Sequence, residues 1–186
     1  MAATDLSRYN NSWYKPGSAF KRLCWYLVSM IFFRSYLFPF YTIKVWLLKL
    51  FGAKIGRKVI IKPGVNIKYP WFLTIGNYSW IGEKVWIDNL VDVQIGNSVC
   101  LSQGSLLLTG NHDYTKVEFD LMPAKIILED GVWIGAKAVV CAGVICRDHA
   151  VLSVGSVATH ELKSWSINSG NPAVWVRERK MTDTGS

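Results

Sequence analysis

The residue with the clearest chemical potential is His112, set in Gly110-Asn111-His112-Asp113. A hydroxyl at neutral pH is a poor nucleophile, and an imidazole with an unperturbed pKa of about 6.5 is suited to take its proton. Such a base would serve transfer of an acyl group to an alcohol. The oxyanion that develops there also needs a donor, most simply a backbone N–H. One ring nitrogen must be held by an acceptor, and a backbone carbonyl or the carboxylate of Asp113 would do. Asp88 and Asn89, with Trp86 beside them, offer an acid, an amide and an aromatic face, the ingredients of a substrate-binding sugar subsite or of an ordinary corner. His149, in Arg147-Asp148-His149, reads as a solvated turn residue. Cys24, Cys100, Cys141 and Cys146 form neither a C-x-x-C pair nor a secreted framework, and no base motif accompanies them.

These residues are carried by a stretch from Ile55 to about Leu162 in which an aliphatic residue returns every six positions. Leu128, Ile134, Val140, Cys146, Leu152 and Ala158 follow one another without a gap. Earlier the series runs Ile55, Ile61, Ile67, then Ile75, Ile81, Ile87, then Ile95, Leu101, Leu107, each break inserting two residues. A small or β-branched residue recurs four places on, at Val59, Val65, Ser79, Val85, Val99, Ser105, Val132, Ala138, Val144 and Ser156. Neither a helix nor a flat strand has this period; a hexapeptide repeat building a β-helix does. Three short strands and three corners make one coil, and the aliphatic residues stack inside the prism. Each coil buries its face only against its neighbours. The corners call for residues that accept turn conformations, and Asn77, Asn97, Asp130 and Asp148 fall there. Cys146 takes an inward place as a small hydrophobe. Residues 110–127 interrupt the repeat, so His112 sits on a loop leaving a rigid scaffold.

The repeat, Thr109-Gly110-Asn111-His112-Asp113, Gly131-Val132-Trp133-Ile134-Gly135 and Gly170-Asn171-Pro172-Ala173 make the chain similar to the hexapeptide-repeat acyltransferases. Among these it most resembles the colanic acid biosynthesis O-acetyltransferases and, more distantly, the galactoside and maltose acetyltransferases. The resemblance covers about Ile55 to Lys180. It implies an all-β left-handed parallel β-helix, a homotrimer, acetyl-CoA as cosubstrate, and His112 as general base in direct transfer. It also implies that Trp133 and Ala136 line the pantetheine arm, that Val154 and Thr159 continue the groove, that His160 lies near coenzyme A, and that Arg177 meets the nucleotide phosphates. Ala136 replaces a frequent serine, which leaves only its backbone N–H for that role. Asp113 joins Asp88 and Asn89 as a candidate substrate contact. His112 is expected from one subunit and part of the groove, with Trp133 and Thr159, from the next. No metal is expected, because the spacing of His112, His149 and His160 does not match the closely spaced second and third zinc ligands of the gamma-class carbonic anhydrases.

The remaining sequence frames this domain. Residues 1–54 form an N-terminal arm, 55–163 the β-helix and 164–186 a C-terminal segment contributing to the coenzyme A site. After Pro16-Gly17, Ser18 is a fitting N-cap for Phe20, Leu23, Cys24, Leu27, Val28, Ile31 and Phe32 at helical spacing. Pro39 ends or kinks that helix, and a second apolar helix runs to a stop at Gly52. Arg34, Pro39 and Lys44 interrupt the arm before any uncharged run reaches the roughly 20 residues a bilayer needs. Its helices are therefore expected to cap the open end of the β-helix and pack on a neighbouring subunit, or to lie on the inner membrane surface, helped there by Lys15, Lys21, Arg22, Lys44 and Lys49. The first residues lack the form of a signal peptide, and a cytoplasmic location is expected. A net charge of +8 with dispersed basic residues argues against a nucleic-acid groove and fits coenzyme A or a lipid-linked sugar phosphate. The expected function is acetyl-CoA-dependent O-acetylation of a sugar in exopolysaccharide assembly. The rivals are an antibiotic-inactivating acyltransferase, whose site would prefer a bulky apolar acceptor, and a catalytically silent β-helix scaffold, against which His112 argues.

Overall fold

The computed structural model describes residues 3–182. Its strands assemble into three parallel sheets, the three faces of a prism, with five, seven and five strands among the described residues. The aliphatic series stacks in register on all three. Ile55, Ile75, Ile95, Leu128 and Cys146 lie above one another on the first face. Ile61, Ile81, Leu101, Ile134 and Leu152 do so on the second. Ile67, Ile87, Leu107, Val140 and Ala158 do so on the third. The two-residue insertions thus keep the phase, because they lengthen a corner and leave the strands opposite their partners. The small and branched residues four places on are buried as well. Each large aliphatic side chain withdrawn from water contributes about 1.5–3 kcal/mol. Burial pushes the Cys146 thiol up to about 12, the state of a packed hydrophobe and not of a nucleophile.

The corners differ from expectation in an instructive way. The left-handed backbone falls three places after the aliphatic residue, and much of it is not glycine: Lys58, Tyr78, Lys84, Ser98, Lys137 and His149 have φ between 53° and 60°. Such residues cost about 1–3 kcal/mol each and persist because the stacked coils over-determine the turn. Asn77, Asn97 and Asp130 occupy corners for another reason. Asn77 Oδ1 accepts Arg57 N–H at 3.0 Å, Asn97 Oδ1 accepts Asn77 N–H at 2.8 Å, and Asp130 Oδ1 accepts Asn97 N–H at 2.7 Å. They form a side-chain ladder from coil to coil. The hydrogen bonds from Asn97 hold the Asp130 carboxyl below the usual carboxylate range. The glycine directly after the aliphatic residue serves close approach: a Cβ on Gly76 would stand 2.5 Å from the carbonyl carbon of Gly96.

The arm closes the start of the prism. The helix α1 (Ala19–Val28) is capped by Ser18, whose Oγ accepts Lys21 N–H at 3.2 Å, and continues as a wider π-helical turn over Ser29–Arg34. The helix α2 (Tyr41–Leu50) ends before Gly52, which has φ +101°. Trp25, Phe33, Leu47 and Leu48 join the core of the β-helix, and Trp25 Nε1–H donates to Ile67 O at 2.8 Å. Lys44, expected on the surface, is instead fully buried without a hydrogen-bond partner, and burial lowers its pKa. Ahead of α1, the chain crosses the loop that carries His112: Asp5 N–H donates to Val117 O at 2.9 Å, and Arg8 pairs with Glu118. At the other end, the C-terminal segment adds a hairpin of Ser166–Gly170 and Ala173–Glu178 to the second face.

Candidate functional site

His112 lies on an excursion between the third-face strand Leu106–Leu108 and the first-face strand Ile126–Leu128. The excursion is not slack. Thr109, fully buried at its root, donates from Oγ1 to Asp88 O and accepts Leu90 N–H, both at 2.8 Å. The two limbs then pair, with Met122 N–H to Asn111 O at 2.7 Å, Asp113 N–H to Asp120 O at 2.8 Å, and a bridge between His112 and Leu121.

The imidazole is fixed on two sides. Its ring stacks on Phe119 at 4.4 Å and 8°, and Tyr9 from the arm stands 5.8 Å away. Nδ1 lies 2.9 Å from the carbonyl oxygen of Phe119, a residue in left-handed backbone at φ 54°. A carbonyl only accepts, so Nδ1 carries the proton and Nε2 keeps its lone pair. The orienting acceptor is therefore the backbone carbonyl and not Asp113. The Asp113 carboxylate turns into its own loop, where Thr115 N–H and Oγ1–H donate to it at 3.1 and 2.6 Å, bonds that hold it below the usual carboxylate range. Asp113 does not line the cavity beside His112.

That cavity, about 820 Å³, is walled by the arm (Tyr14, Lys15, Arg22), by Lys68 and Tyr69, and by His112. A second one of about 410 Å³ shares Arg22, Lys68 and Tyr69 with it and reaches Trp86 and Asp88. Asp88 thus stays with the candidate acceptor side, as an ion pair with Lys68 at 2.9 Å that lacks hydrogen-bond alignment. Asn89 must be withdrawn from it. It is fully buried, its Oδ1 accepts Tyr69 N–H at 3.0 Å and its Nδ2 donates to Tyr69 O at 2.6 Å, so both ends of the amide tie one coil to the next.

A separate groove of about 630 Å³ runs along the second face. It brings together Trp133, Ala136, Val154 and Arg177, with Arg179 and Lys180 at the same end. The Trp133 indole donates to Ser102 Oγ at 2.9 Å and is held over the groove. Thr159 and His160 do not join these residues. They follow the third-face strand Val157–Ala158, are exposed, and contact each other, with Thr159 Oγ1 2.8 Å from His160 Nδ1. The reason is the repeat itself: six residues past a second-face strand the chain has turned onto the third. Thr159 therefore shares a prism edge with His112 and not with Trp133. His149 is also less solvated than expected, stacked on Trp165 at 4.1 Å. Among the described residues no three His, Cys, Asp or Glu side chains gather as metal ligands.

No family model matches the chain. It is 36% identical over 180 residues to WcaF of Escherichia coli K12, assigned to colanic acid biosynthesis as an acetyltransferase, covering 96% of this chain and 99% of that protein. The chain belongs to the hexapeptide-repeat acetyltransferases. The galactoside O-acetyltransferase of Escherichia coli K12 is 26% identical to this acetyltransferase over 135 residues, covering 71% of this chain and 66% of that protein. A hexapeptide-repeat acetyltransferase from Vibrio cholerae, crystallised with acetyl-coenzyme A, superposes with a TM-score of 0.79 at 21% identity, covering 90% of this chain and 93% of that one. At that identity the likeness establishes the fold. In this acetyltransferase, sequence reasoning missed the arm's share of the His112 cavity and the Phe119 carbonyl. The turn Pro16-Gly17 was the available signal for the first, since it seats Gly17 against the Trp71 ring. Nothing in the sequence marks a carbonyl seven residues from the histidine it holds.

Proposed function

We propose that this acetyltransferase moves an acetyl group from acetyl-CoA to a sugar hydroxyl, in assembly of an exopolysaccharide of the colanic acid type. One observation carries the reading: His112 lines a cavity with its Nδ1 2.9 Å from the Phe119 carbonyl, an acceptor that calls for the proton on Nδ1 and leaves Nε2 as the base. Nε2 takes the acceptor's hydroxyl proton as the oxygen bonds to the acetyl carbonyl carbon. It returns that proton to the departing sulfur, so the products are an acetyl ester and free coenzyme A. Acetyl-CoA supplies an activated acyl group; the chain supplies the base, its orientation and the groove. Thiol release on acetyl-CoA with sugar acceptors, with the ester identified by mass spectrometry, tests this. Turnover only with bulky apolar acceptors would favour an antibiotic-inactivating enzyme. Failure to bind coenzyme A would favour a scaffold.

In this reading the second-face groove takes coenzyme A, with Trp133, Ala136 and Val154 along the pantetheine and Arg177 at the phosphates. Arg177→Ala should raise KM for acetyl-CoA about tenfold with a smaller change in kcat, because a remote phosphate contact stabilises ground and transition states alike. A change confined to the acceptor's KM would displace coenzyme A from this groove. The separation of the groove from the edge bearing His112, Thr159 and His160 supports a homotrimer in which one copy's groove faces another copy's histidine.

The arm also supports a peripheral place on the cytoplasmic face of the inner membrane. No helix among the described residues is long and apolar enough to cross a bilayer. Yet Phe20, Leu23, Leu27 and Ile31 on one helical stretch, and Phe40, Ile43, Trp46 and Leu50 on the other, are exposed at three- and four-residue spacing. Residues 1–54 hold eight of the 21 basic residues and one of the 13 acidic ones, so most of the formal net charge of +8 lies in the arm even with buried Lys44 set aside. That charge disfavours arm-to-arm pairing and suits an anionic bilayer. The protein should co-sediment with vesicles of anionic phospholipid and not with zwitterionic ones, and Leu23→Glu with Leu27→Glu should abolish it. Equal sedimentation by the variant would remove the arm from the contact.

A further inference from the structure

Three cations, Lys15, Arg22 and Lys68, converge on the cavity that holds His112, and among the described residues its lining contains no carboxylate. Their charges are not spent alike. Lys68 is paired with Asp88 at 2.9 Å. Arg34, in the adjoining cavity, gives two hydrogen bonds to Asn66 Oδ1 at 3.2 and 2.8 Å. Lys15 and Arg22 have no carboxylate within 4.0 Å among the described residues. The neighbouring phenol does not supply an anion either. Burial, with Tyr69 and Asp88 close by, pushes Tyr14 far above its ordinary pKa, and its hydroxyl donates to Leu90 O at 2.5 Å.

A concave site with uncompensated cations selects an anion. The acetyl donor is not the anion these residues await. Its phosphates lie at the nucleotide end, for which the second-face groove has Arg177, Arg179 and Lys180. Its thioester end, the part that must meet His112, is uncharged. A neutral sugar's hydroxyls can accept from Arg and Lys, but they leave both positive charges uncompensated, whereas an anion neutralises them. Arg22 offers instead the planar fork that matches phosphate oxygens, and Lys15 a mobile point charge.

We infer that the acceptor is a phosphorylated sugar, its phosphate or diphosphate held by Arg22 and Lys15 while a hydroxyl of the sugar reaches Nε2 of His112. This rests on reading His112 as the general base, and it adds the acceptor's charge to that reading. The phosphate belongs either to a soluble sugar phosphate or nucleotide sugar, or to a lipid-linked sugar at a membrane.

The test has two independent parts. Inorganic pyrophosphate is titrated calorimetrically into the full chain saturated with coenzyme A, so that the second-face groove is filled. It should bind, and Arg22→Gln and Lys15→Gln should each weaken it about tenfold. Both side chains are exposed and without a carboxylate partner among the described residues, so the variants should fold. Thiol release is then compared for a methyl glycoside, the same sugar as its 1-phosphate, a nucleoside diphosphate sugar and a polyprenyl diphosphate sugar in anionic vesicles. The ratio of kcat/KM for the phosphorylated over the neutral acceptor should exceed ten and fall at least tenfold in Arg22→Gln. Preference for the vesicle-borne acceptor identifies the lipid source, and preference for the soluble ones the other. Pyrophosphate binding that is absent, or indifferent to both variants, overturns the inference, as does a neutral glycoside used as well as its phosphate. If acetyl-CoA binds but no acceptor is acetylated, the acetyl-transfer reading fails, and the pyrophosphate titration still decides the inference.

Discussion

His112→Ala is expected to lower turnover by about 10²–10⁴-fold, the usual worth of a positioned general base. The loss should fall on kcat while the dissociation constant for coenzyme A stays unchanged, because the imidazole lies outside the groove with Trp133 and Arg177. His112→Gln keeps a polar group of similar reach and should not restore the rate, since an amide cannot take the proton. The variants should remain folded: the loop is held by backbone pairing and by buried Thr109, and the ring itself is only half-buried. Steady-state thiol release with calorimetric coenzyme A binding checks both halves. Near-native turnover in His112→Ala would take the residue out of the chemistry.

Ile134→Asp should leave no stable protein. Ile134 is fully buried on the second face, in register between Leu101 and Leu152. The substitution removes an aliphatic side chain worth about 2–5 kcal/mol and sets an unpaired carboxylate in a dry stack, which costs several kcal/mol more whether it ionises or takes up a proton. That sum approaches the 5–15 kcal/mol by which domains of this kind are stable. Because each coil is buried only by its neighbours, the damage propagates along the prism. Ile134→Val keeps the shape and should cost only about 0.5–1.5 kcal/mol, seen as a modest shift in the denaturation midpoint. A soluble, active Ile134→Asp protein would mean that the side chain does not point inward.

The stacking was legible in the sequence because a prism imposes one condition every six residues, and side-chain size at Ile61, Ile81, Leu101, Ile134 and Leu152 records it directly. The corners were less legible. Left-handed backbone at Lys58 or Lys84 leaves no mark in residue type, because the coils above and below enforce it. Asn89 was misread for a related reason: an acid, an amide and an aromatic in a row look like a subsite, and only the fold reveals that the amide is fully used by Tyr69. His112 was visible through its local motif. Its surroundings were not, since Phe119, Tyr14, Arg22 and Lys68 reach it through an excursion and an arm whose paths no repeat encodes. Thr159 and His160 were grouped with Trp133 along the chain, and the prism puts them on different faces.

The most direct measurement is activity in mixed oligomers. His112→Ala subunits lack the base, and Ala136→Glu subunits have a charge in the groove. Each should be inactive alone. When the two are allowed to exchange, some assemblies hold a native groove from one copy opposite a native His112 from another, and thiol release should rise well above that of either variant. If exchange is confirmed by mass spectrometry and no activity returns, His112 and the groove do not meet between subunits, and the shared site is wrong.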